Sequence, residues 1–248
     1  FKKIIDQKKT IISDKLLKEF LILKKISKIR NLRLIDINLT KEKLKKKLSL
    51  KLNEFQMTNL SMAVAAAKLC NLKEKQIYNS LDKIKDVDGR LELIKTFINN
   101  IKVYVDFAHT PDALLKSLKA LKKLNGDNIS VVFGCGGDRD LKKRPLMAKI
   151  VSSNSKKIYV TDDNPRNENP EKIRKEIIDN LYNRNFFNIG NRTQAIKKAI
   201  LKAEPNEIIL VAGKGHETQQ IYKKKITSIS DKKIVKGLKL NLKKITNK

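Results

Sequence analysis

The feature that most constrains the fold is a set of four short apolar runs, rich in Val and Ile, in the second half of the chain. They are IKVYVDFA (101–108), ISVVFG (129–134), KIYVTD (157–162) and EIILVAG (207–213). A strand that is apolar along its whole length has both faces buried, which is typical of the parallel sheets of α/β proteins. The four runs therefore predict the strands of a sheet that is covered on both sides.

Helical patterns alternate with these runs, at 111–124, 144–153, 170–181 and 193–203. Two of these helices have well-marked starts, because Thr110-Pro111 and Asn169-Pro170 each place a capping side chain before a proline at the first helical position. Strands that alternate with helices indicate a parallel sheet with helical crossovers. We predict an α/β fold built on a Rossmann-like, doubly wound, mostly parallel sheet.

The first half of the chain is less regular. Periodicity predicts a helix at 15–30, a strand at 33–39, a charged connection at 41–51 and helices at 55–72 and 73–85. The segment DVDGRLELI (86–94) has a glycine followed by alternating apolar residues, which indicates a turn into a strand and a domain boundary. We therefore divide the chain into residues 1–88 and 89–248.

The formal net charge of +30 raises one alternative function, a basic α/β module that binds nucleic acid. The lysines are nevertheless spread over every predicted helix, and aromatic residues make up only 5% of the chain, which leaves little surface for stacking bases. We expect no nucleic-acid partner. No apolar run approaches the roughly 20 residues of a membrane helix, and two cysteines far apart do not suggest a disulfide framework. These features predict a cytoplasmic protein without membrane insertion.

A polar motif follows each of the four predicted strands. The motifs are DFAHTPD (106–112), GCGGDRD (134–140), TDDNPR (161–166) and GKGHE (213–217). In open parallel sheets, ligands bind outside the carboxyl ends of the strands. We expect the four motifs to form one crevice.

Taken singly, each motif has a simpler interpretation. TDDNPR is explained by a polar turn and a helix cap. The three glycines of GCGGDRD fit a tight turn, although they also let backbone N–H groups approach an anion. His109 can be a structural histidine, and Cys135 is more easily explained as a small turn residue than as a nucleophile, because no base stands beside it.

Together the motifs carry charges of both signs. Arg139 and Arg166 suit the bidentate recognition of a carboxylate. Asp163 and Glu217 suit an ammonium group, and GKGHE adds a cation at Lys214. Such a site complements an amino-acid zwitterion.

Over residues 87–235 the chain resembles the Mur ligase family, and within it the MurE type. The resemblance rests on DGRLE, DFAHTPDAL, VVFGCGGDRDLKKRPLM, VTDDNPRNENP and LVAGKGHE, which occur in the family's order and spacing. Residues 1–86 resemble, more weakly, the end of the family's central ATPase domain. The resemblance implies an ATP- and Mg²⁺-dependent ligase that joins meso-diaminopimelate to UDP-MurNAc-L-Ala-D-Glu through an acyl phosphate, in peptidoglycan precursor synthesis.

The resemblance also implies two groups of site residues. The group that binds meso-diaminopimelate comprises Arg139, Asp163, Asn164, Pro165, Arg166, Gly213 and Glu217. The group that faces ATP comprises Arg90, His109 and Asp112. In this family DNPR accompanies meso-diaminopimelate rather than lysine, and lysine would leave the arginines without a carboxylate. A lysine-adding or folylpolyglutamate-type relative is the alternative within the superfamily.

Other features of the family are not found in this sequence. We find no P-loop, no segment for a carbamylated lysine and no UDP-binding domain, and the chain begins with Phe1 rather than Met. We therefore expect a piece of a longer, monomeric ligase that does not hydrolyse ATP alone, and we assign it no catalytic or metal-binding residue. Asn53 and Gln56 stand where the family has Gly and Asn, which bears on nucleotide contacts.

Overall fold

A computed structural model describes residues 10–48, 52, 54–81, 83–84 and 87–239. The chain divides into two compact units, Phe1–Lys85 and Asp86–Lys248. This division lies close to the boundary at 88 that the sequence predicts. The assignment of the first unit to a central ATPase domain stays a prediction, and Asn53 lies outside the described residues.

In its described residues, the first unit contains two short parallel strands and four helices. Its elements are β1 (Thr10–Ser13), α1 (Phe20–Ile29), β2 (Arg33–Asp36), α2 (Asn38–Lys47), α3 (Glu54–Leu69) and α4 (Glu74–Leu81). Leu44, Met57, Val64, Ile77 and Leu81 form its apolar core. The helices predicted at 55–72 and 73–85 correspond to α3 and α4.

Three predictions for the first unit are wrong in detail. The helix predicted from 15 begins only at Phe20, because Asp14 organises a turn in which its carboxylate accepts from the Leu16 N–H at 2.9 Å. The strand predicted to 39 ends at Asp36.

The charged connection predicted at 41–51 is largely helix α2, which runs to Lys47. Lysine favours helix, and one face of α2 is held by two buried residues, Lys41 and Leu44. The ammonium group of Lys41 is buried and forms an ion pair with the Asp14 carboxylate at 3.3 Å.

Within residues 87–239, the second unit is an α/β domain with a six-stranded main sheet and a separate two-stranded hairpin. Its elements are β3 (Glu92–Phe97), β4 (Ile101–Asp106), α5 (Pro111–Asn125), β5 (Ile129–Phe133), α6 (Lys143–Asn154), β6 (Lys157–Val160), α7 (Pro170–Ile178), β7 (Phe186–Asn188), α8 (Arg192–Leu201), β8 (Ile208–Ala212), β9 (Gln219–Tyr222), β10 (Lys225–Ser228) and α9 (Asp231–Gly237). The strand order is β3-β4-β8-β5-β6-β7, and β3 is antiparallel while the other neighbours are parallel.

Alternate side chains of the central strands feed two apolar cores. On one face Val131 and Leu210 pack with residues of α5, α6 and α7, such as Leu118. On the other face Val132 and Val211 pack with α8 and α9. The doubly wound, mostly parallel sheet predicted from the sequence is therefore confirmed.

Both predicted helix caps are present. The Thr110 hydroxyl accepts from the Ala113 N–H at 3.4 Å, and the Asn169 side chain accepts from the Glu171 N–H at 2.8 Å. The sequence reading missed β7, the β9–β10 hairpin and α9, whose segments are short and partly polar. Within the ranges given above, no helix has the length and apolar character needed to cross a membrane.

Candidate amino-acid-binding site

The loops after β4, β5, β6 and β8 meet at one edge of the sheet and enclose a cavity of about 240 Å³. All four motifs contribute to its lining, together with Lys143 of α6. The lining residues are Phe107, His109, Gly134, Gly136, Arg139, Lys143, Asp163, Asn164, Arg166, Gly213 and Glu217. The structure thus brings together six of the seven residues predicted for the amino-acid pocket. Pro165 lies behind the lining, where its carbonyl faces Gly137.

A larger depression, of about 520 Å³, lies at the opposite edge of the sheet. It is lined by Lys122, Asp127, Asn128 and residues 153–156. Lys122 and Asp127 already pair with each other at 2.7 Å. The charges available to a ligand are therefore concentrated in the smaller cavity.

The two consecutive aspartates of TDDNPR have different surroundings. The Asp162 carboxylate accepts from Arg174 and from the Tyr222 hydroxyl, the latter at 2.8 Å. The Asp163 carboxylate lines the cavity beside Gly213, and it receives no hydrogen bond from any residue that the structure describes. Of these two aspartates, only Asp163 is placed to accept a hydrogen bond from a ligand's ammonium group.

Gly213 is required by its position at the end of β8. Its φ of 115° lies in the region that favours glycine, and an added Cβ would lie 2.7 Å from the Asp163 Oδ2 atom. A side chain here would therefore displace the Asp163 carboxylate.

The glycines of GCGGDRD have a different role from the one the sequence suggested. Gly134, Gly136 and Gly137 all avoid positive φ. At Gly137 an added Cβ would lie 1.9 Å from the Pro165 carbonyl oxygen. The N–H of Gly137 donates to the Asn164 carbonyl at 2.9 Å. The motif lets two loops pack backbone to backbone, and this fixes the distance between Arg139 and DNPR.

The two arginines differ in how they are held. Arg166 is half-buried, and its Nη1 donates to the carbonyls of Gly137 at 2.8 Å and Asn164 at 3.3 Å. Arg139 is exposed, and no hydrogen bond or ion pair joins it to the described part of the chain. Arg139 therefore stands at the rim of the cavity.

Lys214 does not face a ligand. Its side chain is fully buried, and Nζ donates to Asn164 Oδ1 at 2.9 Å, to the Gln219 carbonyl at 2.6 Å and to Glu217 Oε2 at 3.3 Å. Burial lowers the pKa of Lys214 below its usual value, and the nearby carboxylates of Asp163 and Glu217 oppose that effect. Lys214, which the sequence suggested as a cation for a ligand, is instead hydrogen-bonded to other parts of the protein.

Two of the three residues predicted to face the nucleotide surround Phe107. The Arg90 guanidinium lies 4.6 Å from the centre of the Phe107 ring, and the His109 ring meets it edge-on at 4.6 Å. His216 stacks on the same ring at 5.3 Å. Asp112 lies away from this cluster, in the first turn of α5, and pairs with Lys116 at 2.7 Å.

Sequence reasoning missed Lys143 and Phe107 as cavity residues. Lys143 begins α6, and its Nζ donates to the His109 carbonyl at 3.2 Å. Both residues lie within the stretches that carried the family resemblance, and the available signal was that Phe107 directly follows β4.

Cys135 is buried beside Met147, and burial raises the pKa of its thiol to about 12. An un-ionised thiol is a poor nucleophile, which fits a structural role. Across the residues described, no group of three His, Cys, Asp or Glu side chains gathers as metal ligands do.

Comparisons with known proteins agree with this geometry. The family model described as "Mur ligase, glutamate ligase domain" matches residues 89–215. The chain belongs to the Mur ligase family. Among this chain's curated relatives, the UDP-N-acetylmuramoyl-L-alanyl-D-glutamate–2,6-diaminopimelate ligase of Rickettsia bellii is 43% identical over 172 residues, which is 68% of this chain and 35% of the relative. The ligase of the same name from Buchnera aphidicola is 42% identical over 192 residues, 77% of this chain and 38% of the relative.

Solved structures show the same fold. A diaminopimelate ligase of the same name superposes with a TM-score of 0.58 at 34% identity, covering 75% of this chain and 38% of that chain. A folylpolyglutamate synthase from Thermotoga maritima superposes at 0.54 with 20% identity, covering 84% of this chain and 52% of that one, which shows the shared fold alone. The chain thus spans little more than a third of the curated relatives described above.

Proposed function

We propose that this chain supplies the acceptor-binding part of an ATP-dependent ligase that adds meso-diaminopimelate to UDP-MurNAc-L-Ala-D-Glu, in cytoplasmic peptidoglycan precursor synthesis. The observation that carries the proposal is the mixed-sign cavity, in which Arg139 and Arg166 stand with Asp163 and Glu217. The names of the relatives point to the same substrates. We further propose that residues 1–88 belong to the central domain of this ligase.

The charges in the cavity match the distal end of meso-diaminopimelate, an amino acid that has an ammonium and a carboxylate at each end. The distal carboxylate of meso-diaminopimelate meets the guanidinium groups, and its distal ammonium meets Asp163 and Glu217. The other amine then points out of the cavity and reacts. Lysine offers an ammonium but no distal carboxylate, so it leaves both guanidinium groups without a partner.

Bound ATP supplies the phosphoryl group that activates the glutamate carboxylate of the acceptor nucleotide. The exposed amine then forms the amide bond, with release of phosphate and one proton. The residues of this chain contribute orientation, because holding the amine at a fixed position removes much of the entropic cost of the encounter.

The cluster of Arg90, Phe107, His109 and His216 fits a nucleotide, since it offers an aromatic face and a cation beside the cavity. Asp112 is our weaker candidate on that side. For magnesium, the described residues gather no three side chains of the kinds that bind metal ions. We propose that the ligase acts as a monomer on small molecules, without nucleic acid.

The test of the reaction joins residues 1–248 to the N-terminal part of the Rickettsia bellii relative, with the intact relative as control. The assay supplies UDP-MurNAc-L-Ala-D-Glu, ATP and Mg²⁺ and compares meso-diaminopimelate with L-lysine by mass spectrometry of the product. We expect the diaminopimelate tripeptide to form preferentially. Equal use of both amino acids by the chimera, with the control selective, would contradict the proposed specificity.

A further inference from the structure

The buried side chain of Lys214 donates hydrogen bonds to two residues that line the cavity, Asn164 and Glu217. Its three donor hydrogens are matched by three acceptors: Asn164 Oδ1, the Gln219 carbonyl and Glu217 Oε2. The side chain has no exposed surface. With its donors occupied and its surface covered, Lys214 is unable to contact a ligand directly, so any influence it has must pass through its neighbours.

The first neighbour is Asn164, whose amide has two possible orientations. Lys214 Nζ and the Ile221 N–H, at 2.9 and 3.1 Å, are both obligate donors, so the atom facing them must be the amide oxygen. The amide nitrogen is then turned towards Glu217 and the cavity, and donates to Glu217 Oε2 at 3.3 Å. The cavity therefore presents an N–H donor at Asn164.

The second neighbour is Glu217. Its Oε2 accepts from both Lys214 and Asn164, while Oε1 has no partner within the described ranges. The carboxylate is thus held by one oxygen and presents the other. Without Lys214, the Asn164 amide loses one of the two donors that fix its orientation. The Glu217 carboxylate loses one of the two donors to Oε2.

The β9–β10 hairpin completes the arrangement. The Gln219 carbonyl that Lys214 binds lies at the start of β9, and Ile221 accepts from the Arg166 N–H at 3.0 Å. The Gln220 side chain donates to the Asp162 carbonyl at 3.1 Å. One buried lysine therefore connects GKGHE, DNPR and the hairpin.

We propose that Lys214 is the positioning residue of the amino-acid pocket: it orients the Asn164 amide and the Glu217 carboxylate so that the cavity offers a matched donor and acceptor to the distal end of the acceptor amino acid. This inference rests on the function proposed above. It adds a residue outside the cavity lining to those that determine specificity.

The test compares Lys214→Met with a matched control, Lys157→Met. Lys157 is also a buried lysine, and its Nζ donates to Glu207 at 3.0 Å, but it lies at the start of β6, at the opposite edge of the sheet. The first readout needs no ligand: the side-chain amide resonances of Asn164, identified by their absence in Asn164→Asp. We expect Lys214→Met to shift them and to speed their hydrogen exchange by about tenfold, and Lys157→Met to leave them unchanged.

The second readout is calorimetric titration with meso-diaminopimelate. Lys214→Met should weaken binding by about tenfold or more, whereas Lys157→Met should bind within about twofold of the unaltered chain. If Lys214→Met does not fold, Asn164→Asp serves instead: it keeps an oxygen for Lys214, replaces the donor by a second oxygen, and should lose binding to the same degree.

Unchanged Asn164 resonances and unchanged affinity in Lys214→Met would overturn the positioning role, as would full affinity in Asn164→Asp. Absence of binding by the unaltered chain would count against the proposed function instead, and the amide resonances would still decide the role of Lys214.

Discussion

Asp162 and Asp163 are consecutive in the chain, yet their carboxylates point into different surroundings. Asp162 is paired with Arg174 and accepts from the Tyr222 hydroxyl at 2.8 Å, while Asp163 lines the cavity next to Gly213. Both residues follow the end of β6, and the chain bends at Asp163. One aspartate holds the loop in place and the other is available to a ligand.

This separation predicts opposite effects for two matched substitutions. Asp162→Asn leaves the Arg174 charge without its partner and should lower the free energy of unfolding by roughly 3 kcal/mol. Asp163→Asn breaks no hydrogen bond among the described residues and should leave stability nearly unchanged, but weaken meso-diaminopimelate binding. Chemical denaturation and calorimetric titration of both variants check this, and the reverse pattern would refute it.

The two arginines should contribute unequally to binding. Arg166 is half-buried and fixed by two carbonyls, so Arg166→Ala should weaken meso-diaminopimelate binding by about 2–5 kcal/mol. Arg139 is exposed, and Arg139→Ala should cost about 1–2 kcal/mol without affecting stability. The measurement is calorimetric affinity together with the preference over L-lysine. An unchanged preference in Arg166→Ala would show that DNPR has been misassigned.

Among the ion pairs described, the one between Arg192 and Asp231 should contribute most to the free energy of unfolding. Both side chains are fully buried, with Arg192 Nε donating to one Asp231 oxygen at 2.8 Å and Nη2 to the other at 2.7 Å. Asp231→Asn should lower the free energy of unfolding by about 3–5 kcal/mol, since it leaves a buried charge uncompensated. Asp179→Asn removes an exposed pair with Lys175 and should change it by only about 0.5 kcal/mol. Urea denaturation compares the two.

The two cysteines should differ in reactivity. Cys70 is exposed, whereas Cys135 is buried with its pKa raised to about 12. Because the thiolate is the reactive form, at pH 8 only Cys70 should react rapidly with a thiol reagent in the folded chain. Both should react in denaturant. Rapid reaction of two thiols in the folded chain would show that Cys135 is accessible.

Much of the fold could be predicted because its strongest signals are local. The apolar runs and the Thr110 and Asn169 caps specify elements through neighbouring residues alone. The convergence of four motifs followed from one rule, that the carboxyl ends of parallel strands share an edge. The role of each site residue stays a prediction for the experiments described here.

What the sequence did not reveal depends on distant partners. Whether Lys214 faces solvent or the interior is decided by Asn164 and Gln219, and nothing in GKGHE itself distinguishes the two. The burial of Lys41 likewise depends on Asp14, in another element. The β9–β10 hairpin escaped notice because its strands are partly polar, although it supports Asp162, Asn164 and Arg166.

The central claim is that acidic and basic side chains from the ends of three strands, β5, β6 and β8, form one receptor for the distal amino-acid centre of meso-diaminopimelate. Its most direct test is calorimetric titration of the 248-residue chain with meso-diaminopimelate and, separately, with L-lysine. The account predicts saturable binding of meso-diaminopimelate and an affinity for L-lysine lower by about tenfold or more. Equal affinities, or binding of L-lysine alone, would contradict it.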